Sequence, residues 1–161
     1  MGQLKNRKLK ILRQGINMNE TVIFEKLGKL LWEIMPDDAD EIWCIGMIYD
    51  MSWSLGPEWR LKDGRVSTFT EHYPIDWCRE FYALMEVLKK TPSLGSQPWN
   101  HFHASLNEKG KFKINFAYIH EDNSWVGLYM KGVSDLTKEE AQANYIPEQE
   151  WLERVKKYKG V

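Results

Sequence analysis

His101-x-His103 is the pairing in this 161-residue chain with the clearest chemical potential. In a strand, residues i and i+2 share a face, so the two imidazoles stand together at a spacing that suits zinc. A zinc site needs three or four ligands, and the sequence supplies no third. The paired strand puts Lys113, Asn115 and Ala117 on the histidines' face, while His120 falls at the opposite parity with Phe116 and Tyr118. The histidines therefore read as surface or interface residues. A small metal-assisted enzyme built on His101 and His103 is the alternative.

No nucleophile finds a base either. Cys78 lies near His72 in sequence, but it falls in an apolar helical pattern, where a buried thiol stays protonated and inert. Cys44 sits in an apolar strand pattern, and without CxxC spacing the two read as buried free thiols of a reducing compartment. Asp37 with Asp38, and Glu139 with Glu140, lie on a loop and at a helix start, where acids cap backbone N–H groups rather than face each other across a cleft. Gly95 and Gly110 stand singly and build no phosphate loop. The sequence thus assigns no catalytic residue, no metal ligand set and no cofactor.

The element that positions the histidines is a hairpin. Asn107-Glu108-Lys109-Gly110 predicts a three-residue loop with Gly110 at the φ > 0 position, which sets Asn107 against Lys111. Counting outward, Leu106 faces Phe112, Ala104 faces Ile114 and Phe102 faces Phe116. Ser105, His103 and His101 share the other face with Lys113, Asn115 and Ala117. A one-residue slip would bury lysines.

Upstream, a helix is predicted over residues 20–35, capped by Asn19 or Thr21, with Ile23, Leu27, Leu30, Leu31 and Ile34 on one stripe and Pro36 as its stop. Residues 42–49 are apolar or small on both faces and read as a central strand. Residues 52–57 read as a loop or ragged edge broken by Gly56-Pro57. Residues 59–62 and 65–68 then flank Asp63-Gly64, a two-residue type I′ turn that sets Lys62 opposite Arg65 and puts Trp59, Leu61, Val66 and Thr68 on one face. A second helix opens near Asp76, carries Trp77, Phe81, Leu84, Met85 and Leu88, and ends in a loop over residues 91–96. Residues 125–130 predict a further strand, and Thr137 with Glu140 a capping box. Pro147 starts a last helix with a buried stripe of Trp151, Leu152, Val155 and Tyr158 and with charges that suit its dipole.

This order specifies an α+β fold, an antiparallel β-sheet with helices packed mainly on one face. A chain of this length buries about 70% of its unfolded surface and needs no disulfide. Residues 19–161 form one domain, preceded by a flexible basic segment, residues 1–18.

Charge narrows the partners. Lys5, Arg7, Lys8, Lys10 and Arg13 stand in the first 18 residues without an acid, so the remaining chain holds 17 basic and 23 acidic residues. An acidic body suits a cationic protein better than a phosphate backbone; nucleic-acid binding through the basic segment is a second alternative. No stretch approaches the ~20 apolar residues of a membrane span, and no apolar secretion core follows the basic N-terminus. With the thiols, this predicts a cytoplasmic protein with no membrane partner.

Three short stretches carry a family likeness: Ile34-Met35-Pro36-Asp37-Asp38, Gln97-Pro98-Trp99, and Gly110-Lys111-Phe112-Lys113-Ile114 with the aromatic and acidic tail behind it. Over residues 19–122 the chain resembles the YezG-like family of bacterial immunity proteins. It departs from that pattern at Phe116-Ala117-Tyr118-Ile119-His120, where a second aromatic would stand before the acids. The resemblance implies a small α+β protein without enzymatic activity that binds and neutralises the C-terminal domain of a cognate secreted polymorphic toxin, often a basic nuclease. The residues expected to serve such recognition are the densest acids outside helices, Asp37, Asp38, Asp40, Glu121 and Asp122, which would steer a cationic partner. Trp53, Trp59 and Trp125 are the expected aromatic anchors, with His101 and His103 on the polar hairpin face beside them.

Overall fold

A computed structural model describes residues 10–11, 18–91 and 98–161. All but Thr91 of the loop expected at 91–96, Gln97 of the family likeness and most of the basic N-terminal segment lie outside these residues.

The chain runs β1 (Lys10–Ile11), α1 (Met18–Ile34), β2 (Ala39–Ile48), β3 (Trp53–Leu61), β4 (Val66–Ser67), α2 (Ile75–Lys89), β5 (His101–Asn107) and β6 (Lys111–Ala117). Short 3-10 turns, α3 (Lys138–Ala143) and α4 (Glu148–Lys159) follow. The sheet order is β1-β6-β5-β2-β3-β4. Strands β2 to β6 pair antiparallel, and β1 adds a two-residue parallel pairing along β6. The fold is α+β, and β2 is central between β5 and β3.

The main hairpin has the register that alternation dictates: Leu106 opposite Phe112, Ala104 opposite Ile114, Phe102 opposite Phe116. Gly110 takes φ 81° in the turn. Asn107 Oδ1 accepts from the Lys109 and Lys111 N–H groups at 2.9 Å each, which fixes the loop from its own first residue. On the inner face, Phe102, Ala104, Leu106 and Phe112 join Ile42, Cys44 and Ile48 under α1 and α2. Helix α1 contributes Phe24, Leu27 and Leu31 to this core, and α2 contributes Phe81, Met85 and Leu88. The Trp77 indole N–H donates to the Leu30 carbonyl at 2.7 Å and ties the two helices together. Helix α1 begins at Met18, ahead of both expected caps.

Three local expectations are corrected. Residues 53–61 form a continuous strand, with Pro57 opposite Cys44. Pro57 is tolerated because its carbonyl points to the sheet's outer edge, where Thr68 Oγ1 donates to it at 2.8 Å; its missing N–H lies on that same side and breaks no rung with β2. The turn after β3 has three residues rather than two: Leu61 faces Arg65, Arg60 faces Val66 and Trp59 faces Ser67. A type I′ turn needs φ > 0 at both central residues, and here only Gly64, at 93°, supplies it. Val66 consequently turns outward and is 60% exposed while Trp59 stays in the core. Residues 125–130 make a tight turn closed by one Trp125–Leu128 bridge, not a strand.

The C-terminal segment adds a second apolar cluster of Leu128, Val133, Leu136, Ala141 and Ile146, with Trp125 and Trp151 packed against it. The Trp151 indole donates to the Leu136 carbonyl at 2.9 Å. Helix α3 is capped by Thr137, which accepts from the Glu140 N–H. Helix α4 buries none of its residues fully, and Leu152 of the expected stripe is largely exposed. Two buried asparagines fasten this segment. Asn100 closes a two-way amide clasp on the Ile119 backbone, each bond 2.8 Å, and Asn123 donates to the Ser134 hydroxyl at 2.9 Å while accepting from the Ser134 N–H at 3.1 Å.

Candidate functional site

Opposite the helices, the sheet presents Glu41, Trp43, Ile45 and Met47 from β2, with Tyr49 just past its end, flanked by Ser54, Gly56 and Glu58 from β3 and by His101, His103 and Ser105 from β5. The C-terminal segment covers one end of this outer face. There Tyr129 Oη lies 3.1 Å from Ser54 Oγ, and the Met130 N–H donates to His101 Nδ1 at 2.9 Å.

That bond decides the state of His101. Because Nδ1 accepts, the ring proton sits on Nε2, which faces Tyr49 Oη at 3.1 Å, and the Tyr49 hydroxyl donates onward to the Ile119 carbonyl at 2.8 Å. The ring is fully buried, and desolvation lowers its pKa to about 4, so it is neutral. His101 is thus a buried joint between sheet and C-terminal segment, not the surface residue expected of it. A ring so engaged has no lone pair left for a metal. Among the described residues, no three His, Cys, Asp or Glu side chains gather to hold one.

His103 is different. It stands half-buried on the uncovered part of the outer face, its ring stacked on Trp43 at 5.9 Å between centroids and 21° between planes. Burial lowers its pKa, and Glu41 partly offsets that. The Trp43 indole N–H donates to Glu58 Oε1 at 3.0 Å across the β2–β3 pair. Trp43, His103 and Glu58 therefore form a row fixed by three strands, with Ile45 beside them. Next to it lies a pocket of about 180 Å3, lined among others by Ile45, Ser54, Gly56, Glu58, Tyr73 and Tyr129. Gly56 makes room for the wall: a Cβ there would meet the Tyr73 hydroxyl at 2.2 Å.

The expected acids do not share a surface. Asp37 and Asp38 are exposed beyond α1, at the end of the sheet where Glu41 pairs with Asn107. Glu121 and Asp122 follow β6 at the other end, beyond the His101–Met47 pair, so roughly 20 Å of strand separates the groups. Asp40 is taken by Arg60 at 2.9 Å, and Asp122 by Lys157 and by His120 at 2.7 Å. Among the described residues, Asp37, Asp38 and Glu121 make no ion pair.

Nor do the expected tryptophans stand free. Trp59 is a core residue in edge contact with Phe69. Trp125 packs on the C-terminal cluster with the Arg154 guanidinium 5.8 Å from its ring centre. Trp53 is 41% exposed but lies flat on Tyr82 at 4.1 Å, on the helix side of the sheet. Both cysteines are buried and free; desolvation raises Cys44 far above its usual range and raises Cys78 as well.

Trp43 and Glu58 escaped the sequence reading. The signal was the odd-numbered face of β2, but its partner strand was hidden behind Gly56-Pro57. The chain is thus an α+β protein in which, among the described residues, only one end of the sheet's outer face is covered. No protein-family model matches the chain, and no curated protein matches it.

Proposed function

We propose that the protein is a non-enzymatic binding protein that neutralises a cognate toxin domain in the cytoplasm of the cell that makes it. The resemblance of residues 19–122 to the YezG-like immunity proteins supplies the toxin. The observation that carries the binding role is the uncovered outer face: Trp43, His103 and Glu58 are held by strand pairing and by one another, so they offer aromatic and charged surface that needs no ordering on contact. The acidic body adds attraction for a basic partner.

A metal-assisted enzyme draws less support, since His101 spends both ring nitrogens on Met130 and Tyr49. Co-expression tests the reading. Cells making the toxin domain encoded by the adjacent upstream gene should grow when this protein is present and stop when it is absent. Continued arrest, with both proteins made in soluble form, would refute it.

A further inference from the structure

We propose that the pocket beside Glu58 is a receptor for an arginine side chain of the basic partner. This rests on the binding role above and specifies what its outer face grips. Among the described residues that line the pocket, Glu58 alone is charged. Its Oε1 is oriented by the Trp43 indole, and it enters no ion pair among the described residues, so a carboxylate oxygen is left for an incoming cation. Arg60, two residues further along the same face of the strand, is already spent on Asp40.

The rest of the lining is suited to the planar, weakly hydrated guanidinium more than to an ammonium. Tyr73 and Tyr129 contribute aromatic rings, and Ser54 Oγ with Tyr129 Oη contributes a hydroxyl pair that can accept N–H groups. About 180 Å3 accommodates one such side chain and little more.

The walls are also set at a cost. Three non-glycine residues of the described chain have positive φ, and two of them immediately adjoin the pocket tyrosines: His72, at 49°, before Tyr73, and Met130, at 65°, after Tyr129. Such backbone persists only where surroundings enforce it. Tyr73 is held by the gap at Gly56, and Tyr129 by Ser54 and by the Met130–His101 bond behind it. The pocket is thus shaped before any ligand arrives.

The test requires no toxin. N-acetyl-arginine amide is titrated into the 15N-labelled full chain, and the Trp43 indole N–H signal, which reports on Glu58, is followed. The expected result is a saturable shift with a dissociation constant on the order of millimolar, as befits a ligand of side-chain size. Glu58→Gln, which keeps an oxygen for the indole but loses the charge, should weaken it about tenfold. N-acetyl-citrulline amide, the neutral counterpart, should leave the signal unmoved. An unmoved indole with the arginine probe, or equal shifts with citrulline or in Glu58→Gln, would overturn the proposal while leaving toxin neutralisation to its own growth test. Arginine binding in a protein that rescues no cell would instead keep the pocket and dismiss the toxin.

Discussion

His101 joins the hydrogen bonding of three segments, through Met130, Tyr49 and, by way of Tyr49, Ile119, and its burial makes that joint sensitive to acid. The folded ring titrates near 4 and an unfolded histidine near 6.5. Between those values the unfolded chain binds a proton that the folded chain does not, so the stability His101 contributes is complete above pH 6.5 and falls by about 3 kcal/mol on reaching pH 4. His103, also lowered by burial, acts in the same direction; Glu20, whose carboxyl is raised by burial, acts against it. Urea unfolding at pH 7 and pH 4.5 of wild type and His101→Gln separates these contributions. The variant should be less stable at pH 7 and should lose about 2–3 kcal/mol less than wild type on acidification. Identical losses would mean that the ring is protonated in place.

At the scale of elements, the main hairpin was legible because turn and alternation agree: Gly110 and Asn107 fix the loop, and every inward residue from Phe102 to Phe116 is apolar. Phe112→Ala should cost about 3–5 kcal/mol and Lys113→Ala less than about 0.5, with Phe116→Ala between them because that ring is only half-buried; chemical denaturation reads the order. Strand β3 was not legible. Pro57 normally ends a strand, and whether its missing N–H faces a neighbour or an open edge depends on long-range pairing that no local pattern carries. The turn after it was misread by one residue for a related reason, since Asp63-Gly64 fits either a two- or a three-residue loop. The observed register places Val66 outside, so Val66→Ala should change stability by less than about 0.5 kcal/mol whereas Trp59→Ala costs about 3–5. Comparable losses at both would restore the shorter turn.

Across the whole molecule, the site was hidden because it is assembled from residues that sequence spacing keeps apart: Trp43 from β2, Glu58 from β3, His103 from β5 and Tyr129 from the C-terminal segment. The expected acids and tryptophans were conspicuous locally, yet Asp40 and Asp122 are neutralised at home and Trp59 is core. What remains of the steering idea belongs to Asp37, Asp38 and Glu121, which flank the sheet at its two ends. Association with a basic partner should still slow with added salt, but neutralising Asp122 should leave the association rate unchanged, whereas neutralising Asp37 and Asp38 together should reduce it in stopped-flow or surface kinetics. On the proposed function, this outer sheet face binds and silences a toxin. Titration calorimetry of the purified protein against the toxin domain of the adjacent upstream gene tests it most directly. The expected result is a one-to-one complex that Trp43→Ala and Glu58→Gln each weaken by about tenfold or more, with thermal melts confirming that both variants are folded. No complex, or full affinity in both variants, would contradict it.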